Sequence, residues 1–198
     1  QHRSSDGFLD NVALDRREQA VDQTLARLTL DWKPSDNVQL IYKGQYAKAD
    51  IDGQLNEMAN CTAGLAGLLA AFNRLEDCTL NNKRSVGASV GGYNRRPDGL
   101  ENESWSQSLT ANVQMGDFTL TSVTGYHYQD MITYIDSDFT DLPLLHLSIA
   151  EKLKQFSQEI RVNSPAGKFL EVVAGAYYED TKLDTPLAID YNLTGYIP

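Results

Sequence analysis

Apolar side chains recur at every second position along this chain, in segments joined alternately by very short turns and very long loops. Period 2 belongs to a β-strand with two unlike faces. From Val21 to Lys33, Ala26, Leu28, Leu30 and Trp32 share one face, while Arg27, Thr29, Asp31 and Lys33 take the other. Pro34-Ser35-Asp36-Asn37 reads as a tight turn into Val38 to Ala49, where Val38, Leu40, Tyr42 and Tyr46 oppose Gln39, Lys43 and Gln45. Trp105 to Met115 alternates in the same way and reverses at Gly116-Asp117 into a long strand from Phe118 to about Asp136. Lys154 to Asn163 and Phe169 to Lys182, joined by Ser164-Pro165-Ala166-Gly167-Lys168, complete a predicted set of six strands.

Alternation alone also fits a soluble β-sandwich. Three further features favour a membrane barrel. Charges sit in mid-strand on the polar faces, at Arg27, Asp31, Lys43, Glu159, Arg161 and Glu171. A wide, wet lumen accommodates them, whereas Arg or Lys facing lipid costs about 2–4 kcal/mol near the midplane. Aromatics gather at strand ends: Trp32, Phe118 and Phe169 by the short turns, and Tyr46, Trp105, Tyr126, Tyr128, Phe156 and Tyr178 toward the long loops. Two such girdles suit the two lipid interfaces. Finally, the turns are short while loops of about 55 residues (50–104) and about 17 residues (137–153) intervene, as for periplasmic turns and extracellular loops. Ala63 to Phe72 predicts a short helix within the larger loop.

No run approaches the roughly 18 apolar residues of a transmembrane helix. The net charge of −10 argues against nucleic acid as a partner, since phosphate binding needs clustered Lys and Arg. Gln1 is no initiator, His2-Arg3-Ser4-Ser5 is no signal peptide, and Tyr196-Ile197-Pro198 stops in loop-like sequence, so a fragment is expected. An open sheet in lipid would leave unpaired edges, which requires further strands to close the barrel.

The segments Leu28-Thr29-Leu30-Asp31-Trp32-Lys33-Pro34-Ser35-Asp36-Asn37, Thr121-Ser122-Val123-Thr124-Gly125-Tyr126, Gln155-Phe156-Ser157-Gln158-Glu159-Ile160-Arg161-Val162 and Val173-Ala174-Gly175-Ala176-Tyr177-Tyr178 resemble barrel strands and periplasmic turns of TonB-dependent receptors. The resemblance runs from Asp6 onward. It implies an all-β fold: a transmembrane antiparallel β-barrel of about 22 strands closed by a plug, of which residues 1–198 form part of one barrel domain, without the plug or the remaining strands. It also implies a location in the bacterial cell outer membrane. The activity implied is uptake of a scarce nutrient, such as a siderophore or other metal chelate, a vitamin or a glycan, rather than enzymatic catalysis. The implied partners are the TonB complex through a segment not in this chain, the small nutrient ligand, outer-membrane lipid and lipopolysaccharide, and a surface lipoprotein. A passive porin-like or structural barrel and a secreted carbohydrate-binding β-sandwich are the competing readings.

No catalytic constellation stands out among His2, His127 and His146, which are far apart in sequence. Ligand contacts are expected at His127, on the lumen face, at Tyr134 and Asp136 toward the outer strand end, and at Arg95 and Arg96 in the large loop. Asp136, Asp138 and Asp141 form a D-x-D-x-x-D run that offers oxygen ligands for a structural calcium, although it lacks the Gly and Glu of an EF-hand; no other cofactor is expected. Gly87-Ala88-Ser89-Val90-Gly91-Gly92 lacks the ending of a phosphate loop. Cys61 and Cys78 either pair, as an oxidising compartment favours, or remain reduced thiols.

Overall fold

The computed structural model describes residues 1–71, 75–87, 98–141, 144–167 and 169–191. In chain order the elements are β1 (His2–Ser5), β2 (Leu9–Asn11), β3 (Arg16–Glu18), β4 (Ala20–Ser35), β5 (Val38–Asp52), α1 (Ala63–Ala71), β6 (Lys83–Arg84), β7 (Gly99–Met115), β8 (Phe118–Asp136), β9 (Leu145–Asn163), β10 (Val173–Asp184) and β11 (Leu187–Tyr191). One large antiparallel sheet runs β1-β4-β5-β7-β8-β9-β10, with β11 also on β9, and a small sheet is ordered β3-β2-β6.

Local chemistry explains the reversals. Ser35 pairs with Val38 across a two-residue turn, and the register shifts between Trp32 and Ser35, where Pro34 has no N–H to give the ladder. Met115 pairs with Phe118 across Gly116-Asp117, and Gly116 supplies the positive φ (60°) that a two-residue hairpin turn favours. After β9 the chain turns at Pro165, where the Ser164 N–H donates to Val172 O (2.9 Å) and its hydroxyl accepts from the Val172 N–H (2.8 Å).

Cross-strand register carries the alternation coherently across the sheet. The row Trp32, Leu40, Ala111 and Ser122 shares one face with the row Tyr46, Trp105 and Tyr128. Arg27, Gln45 and Ser106 form a row on the other. The apolar face is open: Leu30 is 54% and Ile160 48% exposed, and Trp32, Phe118, Phe156 and Tyr178 are exposed as well. Among the described residues the buried apolar side chains are Leu9, Leu69, Val86 and Tyr134, and none of them lies in the middle of the large sheet. A β-sandwich buries its apolar face against a second sheet about 10 Å away. Here no described element covers that face, which is instead suited to lipid.

The aromatics on this face form two groups. Trp105 stacks on Tyr126 (centroids 5.0 Å) and leans against Tyr128 (5.8 Å), and Phe156 lies 6.4 Å from Tyr178. Offset and tilted pairs of this kind add stability beyond the area they bury.

The structure departs from the sequence expectations at four places. β9 begins at Leu145 rather than Lys154, because Leu147 and Ile149 already alternate with Ser148 and Ala150 and pair with β8; the second loop therefore spans 137–144, not 137–153. The large loop narrows to 53–98 as β5 and β7 extend to Asp52 and Gly99. β10 begins at Val173, not Phe169. Phe169 stands free in the turn, and Glu171, expected in mid-strand, accepts the Gly167 N–H at 2.7 Å. The six strands also gain neighbours: β1 on β4, and β11 on β9. β10 and β11 hold the same register on β9, from Val173 opposite Asn163 to Tyr191 opposite Leu145. They form one long strand whose ladder is interrupted at Pro186, which offers no N–H, although its carbonyl accepts from Ala150 N at 3.0 Å.

Candidate functional site

Two regions concentrate polar chemistry. The first is the polar face of the sheet, where alternation places Arg27, Thr29, Lys43, Gln45, Ser106 and Ser108 around an open groove. Arg27 donates from Nε and Nη2 to Gln45 Oε1 (3.2 and 2.8 Å), Gln39 donates to both Asp31 oxygens (3.0 and 2.9 Å), and Arg161 pairs with Glu159 at 3.1 Å. His127 lies on this face, half-buried between Ser106 on β7 and Gln155 on β9. Neutral amides, hydroxyls and both signs of charge side by side suit a wetted channel wall that offers many weak contacts.

The second region is a cap at the loop end of the sheet, built where β2, β3 and β6 fold beside the ends of β5, β7 and β8. Its centre is Arg84, buried between Glu18 (Nη1 to Oε2, 3.1 Å) and the carboxylate of Asp98, with Nη1 also donating to Gln54 O at 2.7 Å. Glu18, 0% exposed, takes further donors from Asn11 (2.7 Å) and Arg16 (3.1 Å). Asn11 holds the neighbouring segment through Val86 O (3.0 Å), and its Oδ1 accepts from Ala13 N and Leu14 N. Gly53 takes φ 74° against this group, and a Cβ there would lie 2.5 Å from Glu18 Cβ, so only glycine fits. The Gly53 N–H donates to Asp98 O, and the Asp98 carboxylate accepts the Asp136 N–H. Isolated buried charges are costly, and this cluster is tolerated because each carboxylate meets a cation and several donors.

Around it the electrostatics are strained. Burial raises the Asp98 carboxyl above the usual range against the opposing pull of Arg84. Asp136 is pushed up to about 8, first by burial and then by Asp138 and Asp98. His146, paired with Asp136 across β8 and β9, is lowered by burial against the pull of Asp98, Asp138 and Asp190. A neutral imidazole and a largely protonated carboxyl therefore lie side by side in the cap at neutral pH.

The expected site residues divide accordingly. His127 reaches the polar face, but Tyr134 (2% exposed) and Asp136 (0%) lie inside the cap and on the parity of the apolar face, so neither faces the open groove. The alternation at Tyr128 continues to Asp136, which already signalled this. Arg95 and Arg96, and the run 88–92, lie outside the described residues. In the run expected to offer calcium ligands, Asp136 Oδ1 accepts Asp138 N (3.1 Å) and Phe139 N (2.9 Å), and Asp138 accepts Thr140 N, Leu144 N and Leu145 N (3.1, 3.1 and 2.9 Å). These oxygens fix the turn, and among the described residues no group of three acidic, His or Cys side chains is arranged to hold a metal. Cys61 and Cys78 are joined in a disulfide that encloses α1 within the large loop. The cap was missed because Glu18, Arg84, Asp98 and Asp136 come from separate segments. The one sequence signal was the Arg16-Arg17-Glu18 charge run before a strand.

Neither a protein-family profile nor a curated protein matches the sequence. Among solved structures, the chain matches the crystal structure of the ferric yersiniabactin uptake receptor FyuA from Yersinia pestis with a TM-score of 0.68 over 96% of its length, at 15% identity. The fold is that of a β-barrel wall. This chain spans about a quarter, 26%, of that receptor's length. In that fold the polar face is the inner face of the wall and the apolar face the outer one. The two-residue turns lie at one rim, and the cap at the other.

Proposed function

We propose that this chain is a sector of an outer-membrane receptor barrel that takes up a scarce nutrient, with energy supplied through TonB, and that residues 1–198 belong to a single barrel domain. The supporting observation is the pairing of a lipid-suited face with a polar, charge-bearing face on a sheet that shares the fold of a ferric yersiniabactin uptake receptor. The work of this sector is binding and guidance rather than bond making. Lumen groups such as Arg27, Lys43 and His127 offer weak contacts to a polar ligand in transit, and the long loop between β5 and β7 adds further ligand contacts. The ligand class proposed is a metal chelate, with a vitamin or glycan as alternatives, and Arg95 and Arg96 remain proposed loop contacts.

The test is uptake in cells carrying the whole receptor. Replacing 53–98 with a short turn should abolish high-affinity uptake of a panel of radiolabelled ferric siderophores, cobalamin and oligosaccharides, while the barrel still reaches the outer membrane. Dissipating the proton gradient should stop uptake by the intact receptor. Uptake that persists without the gradient would replace this reading with a passive porin.

A further inference from the structure

We propose that the inner side of the wall at its loop end is a panel for the apolar body of the ligand, which makes the nutrient an amphipathic molecule, such as a chelate bearing an aromatic or alkyl group. The proposal rests on the barrel reading, because it needs the odd positions of β8 and β9 to look inward.

The two faces exchange character above the row of Tyr46, Trp105 and Tyr128. Just below that row, the inner side carries Arg27, Gln45, Ser106, His127 and Gln155 side by side. Six positions further toward the loops, the inner row is Val21, Ile51, Leu100, Thr133, Ile149 and Leu187. Beyond it stand Ile135, Leu147 and Ile189, and then Leu145 opposite Tyr191. The outer side changes the other way, to the acidic row Asp22, Asp50 and Glu101. Neighbouring side chains on a strand point to opposite faces, so a single inversion runs through the whole sheet.

Beyond the lipid boundary the outside of the wall meets water, which accounts for its charges. Water does not account for the inside, where an apolar surface gains only when something apolar covers it. The cap does not cover it. On β8 and β9 the cap buries Tyr134, Asp136 and His146 at even positions, while Ile135 and Leu147 beside them stay partly open. On β11 the contrast continues: Leu187, Ile189 and Tyr191 are 57%, 53% and 73% exposed, and Asp190 is partly covered. These strands therefore bury a side that carries Asp136 and His146, and leave open a side that carries Leu and Ile. Lipid lies on the other face of the wall and ends at the aromatic row. The panel is instead continuous with the polar inner rows, so a molecule passing inward meets apolar side chains first and hydrogen-bonding ones second. Apolar walls with a few polar groups to fix orientation are the usual make-up of a ligand pocket. From β4 to β11 the described inner positions beyond the aromatic row carry one charge, Glu151. A glycan would lose water from its hydroxyls here without gaining enough partners, whereas an apolar ring or chain loses nothing.

The whole receptor, held in lipid nanodiscs, would be titrated with three probes: a ferric trihydroxamate chelate, the same chelate carrying an aryl substituent, and a maltooligosaccharide. The aryl chelate should bind about tenfold more tightly than the unsubstituted one, and the oligosaccharide should show no saturable binding. Leu147→Asn/Ile189→Asn should bring the two chelates level, and Leu147→Ile/Ile189→Leu should keep the preference. The single change Ile189→Thr, which retains the branched shape that strands favour, should lower it partway. Lys48→Gln, on the outer side, should leave it intact. Equal binding of the two chelates by the unmodified receptor would overturn the proposal, as would absent binding of the aryl chelate or a preference that survives in the Asn variant. If the receptor's own loops cover the panel, the Asn variant instead lowers the unfolding temperature of the unliganded receptor and spares the preference, which also overturns it. Failure of the barrel reading is separable, since these measurements need no proton gradient: a receptor that fractionates away from the outer membrane refutes that reading whatever it binds.

Discussion

At the scale of single residues, the cap depends on one cation serving two carboxylates. Removing the guanidinium in Arg84→Met leaves Asp98 buried without a counter-charge and Glu18 with Arg16 alone, and breaking a buried pair in this way costs about 3–5 kcal/mol. Hydrogen exchange in the whole receptor should then accelerate across 9–18 and 83–87 while the membrane strands stay protected; unchanged exchange would show that packing alone holds the cap. Asp136 sets the pH behaviour of the same region. Its carboxyl is raised in the folded cap to about 8, so its contribution is full below the ordinary carboxylate range and is lost as pH rises through about 8. Asp98, also raised, acts in the same direction. His146 is lowered, so its contribution is present above its ordinary value near 6.5 and is lost as pH falls. Between about pH 6.5 and 8.5 only the carboxyls therefore weaken the cap. Protease cleavage in the loops of the whole receptor should increase over that interval, and Asp136→Asn should flatten most of the rise. A rise of equal size in the variant would remove Asp136 from the explanation.

At the scale of elements, the two faces of a strand should respond in opposite ways to the same change. On the proposed barrel reading Ile160 on β9 faces lipid and Gln155 the lumen, so Ile160→Arg should cost about 2–4 kcal/mol and Gln155→Arg close to nothing. Urea titration of the folded barrel in detergent or vesicles measures the difference, and equal costs would contradict the assigned faces. The Cys61–Cys78 bridge acts on a different element. It restrains the loop that carries α1, and its removal in a double Cys→Ser variant should loosen that loop by about 3 kcal/mol in the chain-entropy account, leaving the sheet intact. Exchange rates over 57–83 report it, and slowed strand formation would show a wider role. β10 and β11 illustrate how one residue divides an element: the register never breaks, but Pro186 removes a donor and splits the ladder in two.

At the scale of the whole molecule, this sector has little core of its own. Its large sheet exposes apolar side chains on one face and leaves β1 at an edge, which the proposed barrel would cover with lipid and with further strands. The chain expressed alone in water should therefore fail to give a cooperative unfolding transition and should aggregate. A soluble monomer with a sharp transition would instead favour an independent β-domain.

The amino-acid sequence by itself determined the strands, their faces and their tight turns. Each depends on neighbours a few positions apart: the two-residue period from Ala26 to Trp32, the missing N–H of Pro34, the positive φ open to Gly116. Strand ends were less legible. Loop-like Ser148 and Glu151 sit inside β9 because pairing with β8 satisfies their backbone, and Phe169 stays outside β10 because the Ser164 turn holds Val172. Only the tertiary structure decided the cap. Nothing in the sequence links Glu18, Arg84, Asp98 and Asp136 to one another, and their shared burial exists only once β2, β3 and β6 meet the ends of β5, β7 and β8. Local periodicity encodes which way a side chain points, whereas ion pairing between distant segments depends on where closed loops bring them together.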